Sequence, residues 1–277
     1  FDYHVWRRII FYVVIGTFFA LVAVLIFGPV VNGAQRWLPL PIGQFQPAEL
    51  AKLVSIMIMA AYIASKIKLE QELHYLTIQM AIIAVFMALT ELEPDMGTAS
   101  IIIGIPLLML MISGLNKNRI GQLLGVALLG AALLIYREPY RLKRLMITYD
   151  PWSDAQDVGY QTVQSLSAIG SGELTGMGLG VGVSKYDYLP EAHTDFAFAI
   201  FCQENGFLGA IFVFLLFAAF AVYAARIANK ARDEYGQVLA MGIIILIVGQ
   251  AIANLFMVGG MIPVVGVPLP FISYGGT

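Results

Sequence analysis

The chain has 277 residues, 59% of them hydrophobic and only 12% charged, with a formal net charge of −2. A soluble domain carries about twice that charged fraction, and nothing in the charge balance points to nucleic acid. The single cysteine, Cys202, lies in an apolar stretch, which rules out a disulfide framework or thiolate metal site within one chain. The three histidines, His4, His74 and His193, are widely separated and argue against a zinc centre.

Repeated apolar runs predict an all-α polytopic membrane protein with seven transmembrane helices, at about 9–27, 50–66, 73–90, 97–115, 119–136, 196–226 and 237–258. No internal repeat is visible. The chain starts at Phe1 and stops at Gly276-Thr277 inside a Gly-rich turn, which suggests a piece of a longer protein with spans missing at both ends. Alternate ends carry Arg7 and Arg8, Lys66 and Lys68, Lys117 and Arg119, then Arg226, Lys230 and Arg232. The positive-inside rule makes these ends cytoplasmic. The loops at 28–49 and 91–96, the long segment 137–195 and the end from 259 are then expected to face outside.

In the first outer loop, Arg36-Trp37 offers a cation and a ring at headgroup level. Gln46-Pro-Ala-Glu-Leu-Ala-Lys52 starts the next helix: Pro47 suits a first turn, Glu49 favours the positive helix end, and Lys52 lies on the same face, where it can pair with Glu49. Such a pair is either a structural ion pair or a functional one, since intramembrane charges lean functional. Glu91-Leu-Glu-Pro-Asp95 reads as a turn shaped by Glu93 and Asp95.

The segment 137–195 is expected to be more than one loop. Tyr140–Thr148 is basic and amphipathic; with Arg137 it groups Arg141, Lys143 and Arg144, to collect anionic lipid diphosphates or to anchor an interfacial helix. Asp150-Pro-Trp-Ser-Asp154 is turn-like, and Gly159–Ile169 suits a short interfacial or re-entrant helix. The run Gly176, Gly178, Gly180, Gly182 lacks the Lys-Ser/Thr of a phosphate loop and reads as flexible backbone. Tyr188-Leu-Pro-Glu-Ala-His-Thr-Asp-Phe196 then places Glu191, His193 and Asp195 at the mouth of an apolar helix. Partial desolvation there makes Asp195 a candidate general base; a helix-cap role is the alternative, and the two are compatible. Glu191 reads as a cation ligand or a solvated loop acid, and His193 as structural. Lys185, ten residues before Asp195, is a candidate substrate contact. Glu204 lies roughly 13 Å into its span and needs a partner or a wet cavity.

Eight stretches together resemble the SEDS family (shape, elongation, division and sporulation), typified by FtsW, RodA and SpoVE. They are Gly33-Ala-Gln-Arg-Trp37, Gln46-Pro-Ala-Glu49, Glu93-Pro-Asp-Met-Gly-Thr98, Asp150-Pro-Trp152, Gly159-Tyr-Gln161 with Gln164-Ser-Leu, Ala168-Ile-Gly-Ser-Gly172, Leu189–Phe196 and Pro270-Phe-Ile-Ser-Tyr-Gly-Gly276, in the family's order. The wording is nearer the FtsW and SpoVE branch. One departure is Gln203-Glu204-Asn205-Gly206 where the family has Glu-Glu-Leu-Gly. The resemblance implies one domain over 1–277, seven spans of a roughly ten-helix bundle, with 137–195 as a large extracytoplasmic loop. It implies a multi-pass protein of the bacterial cytoplasmic membrane that polymerises lipid II on its outer face, an inverting glycosyl transfer with Asp195 as base. A divalent cation, Mg or Mn, is expected, with Asp195 and Glu191 as candidate ligands; no nucleotide, haem or zinc is. Substrate contacts are expected from Arg36, Trp37, Glu49, Lys52, Arg141, Arg144, Lys185 and Glu191. Expected partners are lipid II and the growing lipid-linked glycan, a class B penicillin-binding protein, other division or elongation proteins and membrane lipids. A lipid II flippase or a non-catalytic division scaffold are the alternatives.

Overall fold

The computed structural model describes residues 2–30, 33–40, 43–137, 139–181, 189–191 and 193–274. In chain order the helices are α1 (His4–Phe27), α2 (Pro47–Lys68), α3 (Ile78–Leu92), α4 (Met96–Ile112), α5 (Lys117–Arg137), α6 (Pro139–Tyr149), α7 (Tyr160–Ser171), α8 (Ala197–Asn229) and α9 (Glu234–Val258), with a 3₁₀ turn at Pro151–Asp154. A helix occupies each of the seven segments read as spans. Among the described residues, α1, α2, α8 and α9 are long and apolar enough to cross a membrane. Helices α3 and α4 are apolar but have 15 and 17 residues, about 22–26 Å against a hydrocarbon core of about 30 Å. The amphipathic stretches around Tyr140–Thr148 and Gly159–Ile169 form α6 and α7 as expected. The all-α expectation needs one correction: β1 (Leu38–Leu40) and β2 (Gly43–Phe45) pair antiparallel in the first outer loop, Leu38 opposite Phe45. Three-residue strands are too short to show an alternating pattern.

The chain divides into two compact units, Phe1–Leu124 with Tyr223–Leu246, and Gly125–Val222 with Ile247–Gly275. In the first, α2 packs against α1, α3 and α4. Its buried positions mix Ala48, Ala51, Ser55, Ala60 and Ala64 with Val54, Met59 and Ile63. Small residues let helices approach closely, which drives packing where lipid is as apolar as Leu. The first turns of α9 come equally close: a Cβ at Gly242 would meet Ile56 Cγ2 at 2.5 Å and Met109 Sδ at 2.8 Å.

The second unit holds α6, α7, most of α8 and the end of α9, around a core of Ala168, Leu189, Phe196, Ala199, Met257 and Val258. Here α8 is not the single uninterrupted span expected over 196–226. Gly206 has φ 65° and ψ −166°, which breaks the helix. The break frees backbone groups that must find partners inside protein. The chain just after α7 supplies them: the Met177 and Gly178 amides donate to the Gln203 and Glu204 carbonyls at 3.0 and 3.1 Å, and the Phe207 and Leu208 amides donate to Glu173 and Leu174 at 2.9 and 3.2 Å. This contact also corrects the reading of the glycine run as flexible. Gly176 lies so near that a Cβ would sit 2.1 Å from the Glu204 carbonyl; glycine is there for backbone approach. Gly182 lies outside the described residues.

Candidate active site

In the second unit, the loop ahead of α8 is anchored at both ends by buried Leu189 and Phe196. Between them the chain turns tightly: the Thr194 and Phe196 amides donate to the Glu191 carbonyl at 3.1 and 3.2 Å, and Thr194 Oγ1 donates to Glu191 Oε2 at 2.7 Å. Glu191 sits at φ 56°, a left-handed conformation that a non-glycine residue holds only where its surroundings impose it. Asp195 is half-buried, two residues ahead of α8.

The carbonyl of Asp195 accepts a 2.7 Å hydrogen bond from Asn254 Nδ2 on α9, which also donates to the Val267 carbonyl at 2.7 Å. Four residues earlier on the same face, Gln250 Nε2 donates to the Pro268 carbonyl at 3.0 Å. These two amides fix the chain after α9 beneath the Asp195 loop, and the Tyr274 amide donates to the His193 carbonyl at 2.8 Å. Gly266, at φ 69°, flanks the carboxylate: a Cβ there would stand 3.4 Å from Asp195 Oδ2.

Arg144 Nη1 donates to the Val264 carbonyl at 2.8 Å. Arg144 also lines a cavity of about 260 Å³ with Thr148, Asp157, Tyr160, Gln161 and Pro190, so it shares this space with the start of the Asp195 loop. Lys143, from the same basic cluster, pairs with Asp154 at 2.7 Å and Asp157 at 3.0 Å. Those two hydrogen bonds raise its pKa further, and they join α6 to the 3₁₀ turn.

In the first unit, Lys52 Nζ meets Glu49 Oε2 at 2.7 Å, as the three-residue spacing predicts, and Lys52 is almost fully buried. In the same unit Asp95 joins three elements. Its Oδ1 accepts from the Thr98 amide at 3.2 Å, capping α4; its Oδ2 accepts from Gln46 Nε2 at 3.2 Å, at the start of α2, and lies 3.9 Å from Arg36 Nε. Arg36 Nη2 donates to the Pro94 carbonyl. Trp37 is half-buried, next in the chain.

The family model of the cell cycle proteins FtsW, RodA and SpoVE matches residues 1–277. The chain belongs to this family. A protein named "Probable peptidoglycan glycosyltransferase FtsW" from Geobacter sp. (strain M18) is 39% identical over 279 residues, covering 100% of this chain and 76% of that one. Stage V sporulation protein E of Bacillus subtilis (strain 168) is 37% identical with the same coverage. Among solved structures, a chain of a peptidoglycan synthase complex superposes with a TM-score of 0.79 at 23% identity, over 100% of this chain and 78% of that one. RodA of Thermus thermophilus superposes at 0.65 with 22% identity, over 98% and 73%. The fold is that of the SEDS proteins, and the chain is a multi-pass membrane protein.

In the first unit of this SEDS chain Arg36 and Gln46, at the start of α2, meet at Asp95, while Glu49 and Lys52 pair with each other further along α2. In the second unit Asp195 lies against Gly266 and Arg144 donates to Val264, both in the segment after α9, and Glu191 closes the turn ahead of Asp195. Lys185 lies outside the described residues, as does the side chain of Arg141. Among the described residues no group of three His, Cys, Asp or Glu converges to hold a metal. Magnesium does not require a set of three: it takes one or two protein carboxylates and completes its shell with water and phosphate oxygens. Sequence reasoning missed Gln250 and Asn254, although two amides four apart in an apolar helix are an intramembrane polar signal. It also gave Glu93 only a turn-shaping part, yet Glu93 is fully buried.

The Glu49–Lys52 pair supports a stability prediction. Lys52→Met leaves the Glu49 carboxylate without its counter-charge inside the helix packing, an expected loss of about 3 kcal/mol. The thermal midpoint of the purified protein should fall accordingly, and adding Glu49→Gln should recover part of the loss by removing that uncompensated carboxylate.

Proposed function

We propose that this chain joins lipid II units into glycan strands at the outer face of the cytoplasmic membrane, with Asp195 as general base. Membership of a family whose relatives include proteins named as peptidoglycan glycosyltransferases supports the reaction. The observation that carries the residue assignment is the fixing of Asp195 through its main-chain carbonyl, which leaves the carboxylate beside the side-chain-free flank of Gly266.

Asp195 takes the proton of the attacking sugar hydroxyl as its oxygen bonds to the anomeric carbon of the donor and the bond to the diphosphate breaks. Attack opposite the departing diphosphate inverts the anomeric centre. A hydroxyl is too weak an acid to lose its proton unaided near neutral pH, and a positioned carboxylate supplies the base. Glu191, with Asp195 as the other candidate ligand, would hold a divalent cation, which would supply charge neutralisation to the leaving diphosphate. Arg36, next to Trp37 in the chain, and Arg144, each taken within its own unit, are the described cations open to anionic substrate groups; Lys52, Glu49, Arg141 and Lys185 stay sequence candidates, Lys52 being buried in its pair with Glu49. A class B penicillin-binding protein is the expected partner that crosslinks the strands.

A flippase is the second reading, because α8 is broken, and broken helices line the substrate paths of transporters. The freed groups at Gln203, Glu204, Phe207 and Leu208 are taken up by backbone of the chain after α7, which favours a structural break. The deciding assay combines the full-length protein, its penicillin-binding partner with an inactivated transpeptidase, labelled lipid II and magnesium. Glycan strands are expected; lipid II translocation in vesicles with no strands would replace the polymerase with the flippase.

A further inference from the structure

Glu93 stands in the turn between α3 and α4 and is fully buried. Both carboxyl oxygens are closed off from solvent with no hydrogen-bond partner. An ionised carboxylate in that setting would forfeit its hydration and gain no donor in return. Gln46, Arg36 Nη2 and Thr90 Oγ1 are engaged elsewhere, on Asp95, on the Pro94 carbonyl and on the Phe86 carbonyl at 3.0 Å, while Arg36 Nε is buried without a hydrogen-bond partner, 3.9 Å from Asp95 Oδ2.

We infer that Glu93 is held as the neutral acid and acts as a positioning residue for Arg36, leaving that guanidinium available to an anionic diphosphate. Asp95 already supplies Arg36 with one carboxylate at 3.9 Å. A second negative charge from Glu93 would draw Arg36 inward and turn the trio net negative, which repels an anion. With Glu93 neutral, the trio carries no net charge and the partly exposed guanidinium keeps its positive field. Burial, then the charge of Asp95, pushes Glu93 up to about 8, against the opposing pull of Arg36. The sign follows: a raised carboxyl supports the folded state below its ordinary value of 4.5 and loses that support as pH rises to about 8. The identity of the anion as a lipid diphosphate rests on the polymerase reading; the protonation state of Glu93 does not.

The test uses the full-length protein and inorganic diphosphate as the probe. Infrared difference spectra should show a protonated-carboxyl carbonyl band at neutral pH that vanishes as pH passes through about 8 and is missing in Glu93→Gln. The thermal midpoint of the parent should decline between about pH 4.5 and pH 8 and level off above, while that of Glu93→Gln stays level. Diphosphate affinity, taken as the ratio of parent to Glu93→Gln to cancel the probe's own ionisation, should weaken about fivefold from pH 8 to pH 9. If Glu93→Gln does not fold, Arg36→Gln takes its place: the band should then titrate at higher pH, and the ratio of parent to Arg36→Gln affinity should show the same weakening from pH 8 to pH 9, since only the probe's own ionisation acts on the variant. Absence of the band at neutral pH overturns the neutral acid, whatever the polymerisation assay gives. A band with a flat affinity ratio overturns the action through Arg36. Failure of polymerisation with both signals present removes the proposed reaction and leaves this inference standing.

Discussion

Asp195→Asn is expected to lower glycan-strand synthesis by about 10²–10⁴-fold, the range for loss of a general base, with the protein still folded. The substitution keeps the side-chain shape, and the contact that fixes the loop uses the Asp195 main-chain carbonyl, which asparagine retains. The anchors Leu189 and Phe196 are untouched. Turnover should therefore fall while the thermal midpoint stays close to that of the parent, and both should be measured on one preparation. A variant that polymerises at the parental rate would remove Asp195 from the chemistry and leave the reaction itself standing.

The second large effect is on the fold. Gly206→Ala places a Cβ 2.3 Å from the Gly176 amide nitrogen and 2.7 Å from the Leu174 carbonyl, at φ 65°. These are backbone atoms, so no rotamer change relieves the clash. The left-handed conformation costs an alanine about 1 kcal/mol or more. Pushing the chain after α7 off the break would forfeit four backbone hydrogen bonds at about 1 kcal/mol each. A loss of about 4–5 kcal/mol is expected, read as a much reduced yield of monodisperse protein and a lowered thermal midpoint. Alanine at Gly180, also left-handed but with no atom within 4 Å of the added Cβ, should pay only the conformational part and makes the control.

What was legible in the sequence is what depends on near neighbours in the chain. The helices follow from apolar runs, and the Glu49–Lys52 pair follows from a three-residue spacing. The outer motif Leu189–Phe196 could be singled out because a carboxylate where a polar loop meets an apolar helix is unusual. The break in α8 was hidden because Gly206 has no special meaning without Gly176 and Leu174, some 30 positions upstream. Glu93 was undervalued for a related reason: its three-residue neighbourhood reads as an exposed turn, and only the tertiary packing closes off both its oxygens. Asn254 needed the position of the Asp195 carbonyl, 59 residues before it in sequence, to acquire its part.

That separation has a consequence in time. The Asp195 loop leaves the ribosome well before Asn254, Gln250 and the residues after α9 that fix it. At about 5–20 residues per second, the 59 intervening residues take roughly 3–12 s to add. Throughout that interval the loop has no amide clamp, and its anchors Leu189 and Phe196 lack their core partners Met257 and Val258. The geometry proposed for catalysis is thus a late product of synthesis, completed only when α9 is in place, and a nascent chain stalled short of Asn254 should be cut by protease at this loop faster than the finished protein.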